Sequence, residues 1–338
     1  MTSATMTASA MLLARNDADR RFPQAEQPEL LEELCFAVTG MLRDADWDRP
    51  WRVYELDEMS PIDLAYLVES GLMTPRFAEA GGEGRGFAVY GEGLASLEIN
   101  GEDHLRLVGF RTGDGLEGLW SLLNSLDDRL ETTVSYAFDP GWGYLSANPA
   151  RAGTGLRVYA TLHLPALMLT GKLATTGLEL VNHGLSMAPL WGGAGGVVQV
   201  SNSARQQGPE SEVVRLVSEV CSEIVEKERS VRKMLLRENP LQARDQIGRS
   251  LGLAQHAWTM TFAEAVNLIS AAQVGLEAGL VEAPGLAGRS AFSLMTELQP
   301  AHIVIDHMDR KVGCLESNEI DEVRARLMRE VFAGACVR

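Results

Sequence analysis

A glycine-rich stretch followed by an arginine is the first feature of this sequence with the residue types for chemistry. Residues 147–155 are mostly small and end in Gly153-Thr154-Gly155, and Leu156-Arg157 follows directly. Glycine lets backbone amides approach a ligand closely, and the arginine guanidinium is a planar, permanent cation that suits phosphate. An ordinary turn uses the same residues, so the pattern permits a phosphate site without establishing one.

The elements around this stretch must hold it in place. Val158, Ala160, Leu162 and Leu164 alternate with polar residues, which predicts a strand with one face in a core. A second pair of predicted strands, Leu94 to Ile99 and His104 to Phe110, is separated by Asn100-Gly101, which is typical of a hairpin. Further strands are predicted at Phe87 to Tyr90 and Val197 to Ser201.

Helical patterns occupy much of the rest of the chain. Apolar stripes predict helices over Pro28 to Arg43, over Leu116 to Leu130 and around Val213 to Val225. Ser60-Pro61 predicts the start of a helix that ends at Gly71. The first ten residues are small and polar, which predicts a tail or an edge segment, with Met11 to Arg15 entering a core.

The pattern changes after Glu238, where predicted strands cease. Thr261-Phe262-Ala263-Glu264 is a capping box that opens a helix to Gly279, and Glu319 to Phe332 predicts a final amphipathic helix. We therefore predict an α+β domain over residues 1–237 and a smaller helical domain over residues 238–338.

Composition excludes several classes of protein. The 338 residues carry 46 acidic and 30 basic side chains, a net charge of −16, which argues against a nucleic-acid or anionic-membrane partner. No run approaches the roughly 20 apolar residues of a membrane span. The four cysteines (Cys35, Cys221, Cys314 and Cys336) are widely spaced, which favours reduced thiols in a cytoplasmic protein.

Several longer motifs carry a resemblance to a known family. These are Asn100-Gly101-Glu102-Asp103-His104-Leu105-Arg106, Tyr136-Ala137-Phe138-Asp139, Gly153 to Arg157, His163 to Leu167, Gln199-Val200-Ser201-Asn202, Arg249-Ser250 with Gly252-Leu253, and Gln299-Pro300-Ala301-His302. With them the chain resembles the ATP:guanidino phosphotransferases, most of all the bacterial protein arginine kinases. The resemblance implies a phosphagen-kinase-like catalytic domain, an antiparallel sheet flanked by helices, followed by the helical domain.

The resemblance also implies a reaction and a set of site residues. Family members transfer the γ-phosphoryl group of Mg-ATP to a guanidinium nitrogen, which depends on positioning and on neutralising phosphate charge. By position, Glu102 would orient the guanidinium and remove its proton, and Arg106, Arg157 and the Gly153–Gly155 loop would hold the nucleotide. A solvated hairpin end for Glu102 and surface ion pairs for the arginines are the alternatives. No metal site built from protein ligands is predicted.

Departures from the family pattern concentrate at this chemistry. Ala10 and Leu12 stand where the family has two phosphate-binding arginines, and Gly184 stands where it has a third. Asn148 replaces the reactive cysteine, and Gly101 replaces a second carboxylate. At about 1.5–3 kcal/mol for each charged hydrogen bond, three lost arginines remove roughly 5–9 kcal/mol, on the order of 10³–10⁶ in affinity.

Some of this loss could be replaced from elsewhere in the chain. Arg20, Arg21 and Arg151 are the candidates, whereas His183, beside Gly184, is expected to be a neutral imidazole at pH 7. In the helical domain, the phosphoarginine-binding motif of the protein arginine kinases keeps Asp321 and Arg324 but has Ile320 in place of its first arginine. A surface face of the last helix is the alternative for those two residues.

Three functions follow as hypotheses. The first is a catalytically impaired homologue that serves as a pseudokinase-type regulator or scaffold, paired with a second copy, an active homologue or an adaptor. The second is an active guanidino phosphotransferase with a rebuilt site. The third is a phosphoarginine-binding module without kinase chemistry.

Overall fold

One antiparallel sheet runs through the first two thirds of the chain. The structure is a computed structural model that describes residues 5–203, 208–308 and 318–338. The sheet has eight strands in the spatial order β2-β3-β4-β5-β1-β8-β10-β9. They are β1 (Met6–Arg15), β2 (Trp51–Tyr54), β3 (Gly86–Tyr90), β4 (Ala95–Ile99), β5 (Leu105–Thr112), β8 (Leu156–His163), β9 (Leu185–Pro189) and β10 (Val197–Asn202).

Twelve helices occupy much of the remaining described chain. They are α1 (Pro28–Asp44), α2 (Pro61–Glu69), α3 (Pro75–Glu79), α4 (Leu116–Leu130), α5 (Pro165–Leu169), α6 (Leu173–Val181), α7 (Glu210–Glu238), α8 (Pro240–His256), α9 (Phe262–Glu277), α10 (Ala291–Glu297), α11 (Pro300–His307) and α12 (Asn318–Val331). The predicted class, an antiparallel sheet flanked by helices with a helical part after it, is confirmed.

The prediction of a tail or edge segment for the first ten residues is wrong for residues 6–10, and residues 1–4 lie outside the described ranges. Residues from Met6 onward form β1, which pairs with β5 on one side and β8 on the other near the middle of the sheet. Met11 and Leu13 are fully buried in the core, whereas Ala10 and Leu12 face the opposite side of the sheet. The strand forms despite its small side chains because β5 and β8 pair with it on both sides.

The predicted hairpin is present, with a longer connection than Asn100-Gly101 alone. Ile99 pairs with Leu105, so five residues join β4 to β5. Of the two turn residues only Asn100 has a positive φ, 56°. Its side-chain amide donates to the carbonyl oxygens of Leu31 and Gly84, which ties the turn to the start of α1.

The apolar core lies between the sheet and one layer of helices. Apolar residues of α1, α4 and α7 form one buried cluster with the inward-facing residues of the strands. The other face of the sheet, around β1, β5 and β8, lines a cavity.

Both ends of α2 follow the prediction. A reciprocal capping box joins Ser60 and Asp63 at its N-terminus, and Gly71, at φ 71°, follows its C-terminal end.

A second cluster of buried apolar residues holds α8, α9, α10 and α12 together. Thr261 caps α9 by accepting the Glu264 amide. The sequence predicted that strands cease after residue 238, but β11 (Val281–Glu282) pairs with β12 (Cys336–Val337) there. The domain boundary at residue 238 stays a prediction.

A short hairpin precedes the glycine-rich loop in the first part of the chain, where β6 (Phe138–Asp139) pairs with β7 (Gly143–Tyr144).

Contacts between α2 and α11 join the two parts of the molecule. The Glu69 carboxylate accepts the backbone amides of Ala301 and His302 at 3.0 and 3.1 Å, and it lies 2.8 Å from His302 Nδ1. Tyr66 packs against the His302 ring, with centroids 4.4 Å apart. The helical part is thereby held against the open face of the sheet.

Two further expectations concern membranes and thiols. Across the described ranges, none of the helices is both long and apolar enough to span a membrane. Cys35, Cys221 and Cys336 are free thiols, and Cys314 lies outside the described residues.

Candidate functional site

A cavity of about 690 Å³ lies on the open face of the sheet. Its floor is made by β1, β5 and β8, because residues two apart on a strand share a face. The floor residues are Ala10, Leu12 and Ala14 from β1, Arg106, Val108 and Phe110 from β5, and Arg157, Tyr159 and Thr161 from β8. The strand register arranges them in rows across the sheet: Arg106 with Ala14, Val108 with Leu12 and Arg157, and Phe110 with Ala10 and Tyr159.

The two ends of this floor differ in chemistry. From Ala14 to Ala10 the strand rises about 14 Å, at roughly 3.4 Å per residue. Charged residues surround the Ala14 end, and aromatic residues surround the Ala10 end. There Trp191 stacks on Phe292 with centroids 5.2 Å apart and planes at 23°, and Phe292 lies 6.2 Å from Phe110.

Glu102, the predicted catalytic carboxylate, lines the charged end and is held by three guanidinium groups. Arg76 lies 2.7 Å from one carboxylate oxygen, Arg106 lies 3.1 Å from the other, and Arg151 also pairs with that second oxygen. The Glu102 side chain is only 5% exposed. Its charge is therefore already compensated by protein cations.

Arg106 is equally occupied. Its guanidinium lies 3.8 Å from Glu98, 3.1 Å from Glu102 and 3.2 Å from Asp103. Burial alone would lower the pKa of Arg106, but the surrounding carboxylates, Glu98 first, raise it overall. Burial raises the pKa of Glu98, although the Thr74 amide and Arg106 oppose this. A guanidinium shared among three carboxylates has little positive potential left for a phosphate.

Arg157, the other predicted phosphate ligand, is half-buried in the middle row of the floor. Within residues 5–203, 208–308 and 318–338, no hydrogen bond or ion pair engages its guanidinium. It is flanked by Leu12 directly opposite and by Val108 beyond it. Of the predicted nucleotide-binding cations, Arg157 alone is available to a ligand in this described part of the chain.

The glycine-rich loop serves the protein's own packing. Gly153 exchanges two backbone hydrogen bonds with Tyr144, at 2.7 and 3.1 Å. Gly155 has a φ of 67°, and a Cβ there would lie 2.6 Å from the Ala14 carbonyl oxygen. Thr154 is buried, and of the predicted loop residues only Gly155 lines the cavity.

A network around Arg15 fixes this loop, and sequence reasoning missed it. The guanidinium lies 2.8 Å from Asp127 and donates to the Thr154 carbonyl oxygen at 3.0 Å, and it stacks 3.5 Å from the centre of the Tyr144 ring. Tyr136 donates its hydroxyl hydrogen to Asp127. Met11 to Arg15 was predicted to enter a core, and an arginine at the end of such a segment is the signal that could have indicated a buried partner.

Asp103 plays a similar part beside the site. One of its carboxylate oxygens accepts the Asn16 side-chain amide, the Ser146 hydroxyl and the Ala147 backbone amide at 2.8–3.1 Å. It therefore joins β1, the β4–β5 hairpin and the start of the glycine-rich loop.

Ala10 and Leu12, the two departures on β1, line the cavity. Gly184, His183 and Asn148 are not among its lining residues. Of the three candidate replacements, Arg20 instead pairs with Asp17 and Glu33, Arg21 lies outside, and Arg151 reaches the rim. Arg76, from α3, also reaches the rim, and nothing in the sequence pattern indicated it.

The predicted phosphoarginine residues lie in the helical part and are used structurally. Arg324 is 2% exposed and donates to the carbonyl oxygens of Leu298 and Met260 at 2.9 and 2.8 Å, and it pairs with Asp321. Ile320 is buried in a small cluster with Ile303 and Val304. Arg324 is thus not a surface residue, contrary to the alternative considered above.

The cavity carries four arginines and three carboxylates among its described lining residues, a formal balance of 4 − 3 = +1. The arginines are Arg76, Arg106, Arg151 and Arg157, and the carboxylates are Glu69, Glu102 and Asp103. No group of three or more histidine, cysteine, aspartate or glutamate side chains in the described ranges is arranged to hold a metal ion. The formal charge of the described lining is therefore close to neutral.

Two family models match the sequence. The catalytic domain of the ATP:guanido phosphotransferases matches residues 34–231, which is more than half of the chain. The C-terminal domain of the protein-arginine kinase McsB matches residues 240–336.

Curated relatives extend the similarity along most of the chain. A protein-arginine kinase of Halothermothrix orenii is 33% identical over 302 residues, covering 87% of this chain and 84% of the relative. One of Moorella thermoacetica is 33% identical over 335 residues, covering 96% of this chain and 93% of the relative.

Solved structures share the fold at lower identity. A lombricine kinase superposes with a TM-score of 0.61 at 19% identity, covering 68% of each chain. The duplicated taurocyamine kinase of Schistosoma mansoni, with transition-state analogue components bound, gives 0.61 at 19% identity over 77% of this chain and 38% of that chain. The fold is therefore the one these kinases share.

Proposed function

This chain belongs to the ATP:guanido phosphotransferase family, in its protein-arginine-kinase-like branch, and we propose that it acts as a pseudokinase-type regulator or scaffold. The observation that carries the proposal is the charge balance of the cavity. Three of its four arginines are bound to Glu102, and Arg157 alone remains for a ligand in the described residues. Mg-ATP, the family's nucleotide, does not fit this lining.

The rigid part of the molecule supports the same proposal. The Arg15–Asp127 pair, the Asp103 contacts and the eight-stranded sheet form a complete, packed scaffold. A scaffold that persists while its described site offers a single free arginine serves binding to a partner better than turnover. We propose that the partner is a second copy, an active homologue or an adaptor protein, and that the protein acts in the cytoplasm.

A titration with Mg-ATP, followed by thermal unfolding, tests the proposal. We expect the melting temperature to stay unchanged up to millimolar nucleotide, because no stabilisation arises without binding to the folded state. The variant Arg157→Gln should behave like the wild type in this titration. Clear stabilisation at submillimolar Mg-ATP, lost in Arg157→Gln, would refute the proposal.

One observation favours the alternative of an active kinase with a rebuilt site. Arg76 and Arg151 reach the cavity rim on side chains that are 68% and 45% exposed, so both can turn toward a phosphate. Glu102 would then be released to orient a guanidinium. Mass spectrometry for phosphoarginine after incubation with ATP tests this reading, with Glu102→Gln as the control. Product above that control establishes activity.

The third candidate, a phosphoarginine-binding module centred on Arg324, has less support. Arg324 is buried, and its Nε and Nη1 already bind the carbonyl oxygens of Leu298 and Met260 and the Asp321 carboxylate. Binding of a phosphoarginine peptide that weakens in Asp321→Asn would revive this candidate.

A further inference from the structure

The cavity has the shape and chemistry of a site for a small molecule other than a nucleotide. A volume of about 690 Å³ lies in the range of small-molecule pockets, which are mainly apolar with a few placed polar groups. We propose that it binds a small monocarboxylate with an aromatic or bulky apolar body. This inference rests on the proposed function, since a site built for Mg-ATP would be occupied by the nucleotide.

Arg157 is the reason for proposing that the ligand carries a single anionic group. Its guanidinium has no partner in the described ranges, and a planar guanidinium fits one carboxylate with two parallel hydrogen bonds. A second negative charge on the ligand would meet Glu102 and Asp103 at the same end of the cavity. The arginines at that end are already paired with these carboxylates, so the described lining has no free cation for a second negative charge, and a monoanion is favoured over a polyanion.

The apolar residues of the cavity floor are the reason for proposing that the ligand has an apolar body. Leu12 and Val108 lie in the row of Arg157, and Phe110, Ala10 and Tyr159 form the next row, about 7 Å further along the strands. A ring placed over that second row lies beside the stacked pair Trp191 and Phe292. Aromatic pairs contribute about 0.5–1.5 kcal/mol beyond the area they bury.

Two of the substitutions from the family pattern thus have a purpose in this arrangement. Ala10 and Leu12 make the floor between Arg157 and the aromatic end continuous and apolar. A charged side chain at either position would interrupt it. The same two residues that remove phosphate contacts also create the surface for an apolar ligand.

Calorimetric titration with 4-phenylbutyrate tests the inference, with the uncharged analogue 4-phenylbutanol as the matched ligand. We expect saturable binding of the carboxylate, at least tenfold tighter than binding of the alcohol. Arg157→Gln should weaken carboxylate binding about 10- to 100-fold, the range for losing hydrogen bonds to a charged group, and leave the alcohol unchanged. Arg21→Gln makes the same change of charge outside the cavity and should have no effect.

The outcomes separate this inference from the proposed function. Equal affinity for the acid and the alcohol overturns the inference. So does the absence of saturable binding of the acid at millimolar concentrations, after the heat of ligand dilution without protein is subtracted. If Mg-ATP is also without effect in that case, the proposed function stands and only the ligand class fails. Tight binding of Mg-ATP that displaces phenylbutyrate overturns both. If the circular dichroism spectrum of Arg157→Gln differs from that of the wild type, Arg157→Lys replaces it as the test variant. Lysine keeps the positive charge but not the planar guanidinium, and the ratio of the affinities for the acid and the alcohol is compared in the same way.

Discussion

Arginine at positions 10 and 12 of the cavity floor should raise the affinity for Mg-ATP. The variant Ala10→Arg/Leu12→Arg places two guanidinium groups on β1, in rows that contain Arg157 and Tyr159. Both positions line the cavity, so the new side chains enter it without displacing the core on the other face. The long aliphatic stems can lie along the apolar floor while the charged ends reach into the cavity.

The magnitude follows from the number of contacts. Each charged hydrogen bond contributes about 1.5–3 kcal/mol, so two arginines contribute roughly 3–6 kcal/mol. At about 1.4 kcal/mol per factor of ten, affinity for Mg-ATP should rise on the order of 10²–10⁴-fold. Arginine at position 12 lies directly opposite Arg157, and repulsion between them in the empty site favours the lower part of that range.

Calorimetric titration with Mg-ATP measures the gain, with Ala10→Gln/Leu12→Gln as the control. Glutamine adds polar side chains to the same two positions without charge, so it reports the effect of altering the apolar floor. We expect the glutamine variant to bind nucleotide no better than the wild type. A folded arginine variant that gains less than threefold over the glutamine variant would refute the electrostatic reasoning.

Three further predictions concern stability. Arg15→Met should cost about 3–5 kcal/mol in urea unfolding, because it leaves the buried Asp127 carboxylate without its partner, and Asp127→Asn in addition should recover part of that loss; a cost below 1 kcal/mol would contradict this. Burial, aided by Arg232, lowers the pKa of His163 to about 3. Since the unfolded state takes up a proton near pH 6.5 and the folded state does not, His163 should contribute a loss of stability of about 2 kcal/mol between pH 7.5 and 5, and His163→Gln should remove that contribution. Burial also lowers the pKa of His104, so a loss of the same sign should remain in the variant. Arg324→Ala should cost roughly 3–6 kcal/mol by losing two charged hydrogen bonds, without changing retention of a phosphoarginine peptide in a pull-down.

Periodicity and local turn chemistry predicted five strands of the large sheet and six of the described helices, and the strand they missed near its middle is informative. Helix α1 and the Ser60 cap follow from short-range rules, because the signal lies within one or two turns. Strand β1 was missed since its small and polar residues resemble a tail. Burial of such residues is decided by β5 and β8, whose strands begin more than 90 residues later in the chain.

At the site, too, some residues could be predicted from the sequence and others could not. Resemblance placed Glu102, Arg106 and Arg157 at one cavity, and the structure brings them there together. It did not indicate that Arg76 and Arg151 would converge on Glu102 from separate segments. Ion pairs between residues this distant in sequence leave no periodic signal, so they become visible only in the folded chain.

The position of a cation in this cavity matters as much as the number of cations. An arginine on the floor would stand on a strand fixed between two neighbours, so its side chain would need little ordering to meet a phosphate. Arg76 and Arg151 stand on the rim, largely exposed, and each must give up about 1.5–2 kcal/mol of side-chain freedom to bind. That amount offsets most of the 1.5–3 kcal/mol that a charged hydrogen bond contributes. Both must also leave Glu102, a carboxylate with 5% exposure that would then keep only Arg106, which it already shares with Glu98 and Asp103. Two rim arginines therefore cannot replace two floor arginines, even though their formal charge is the same.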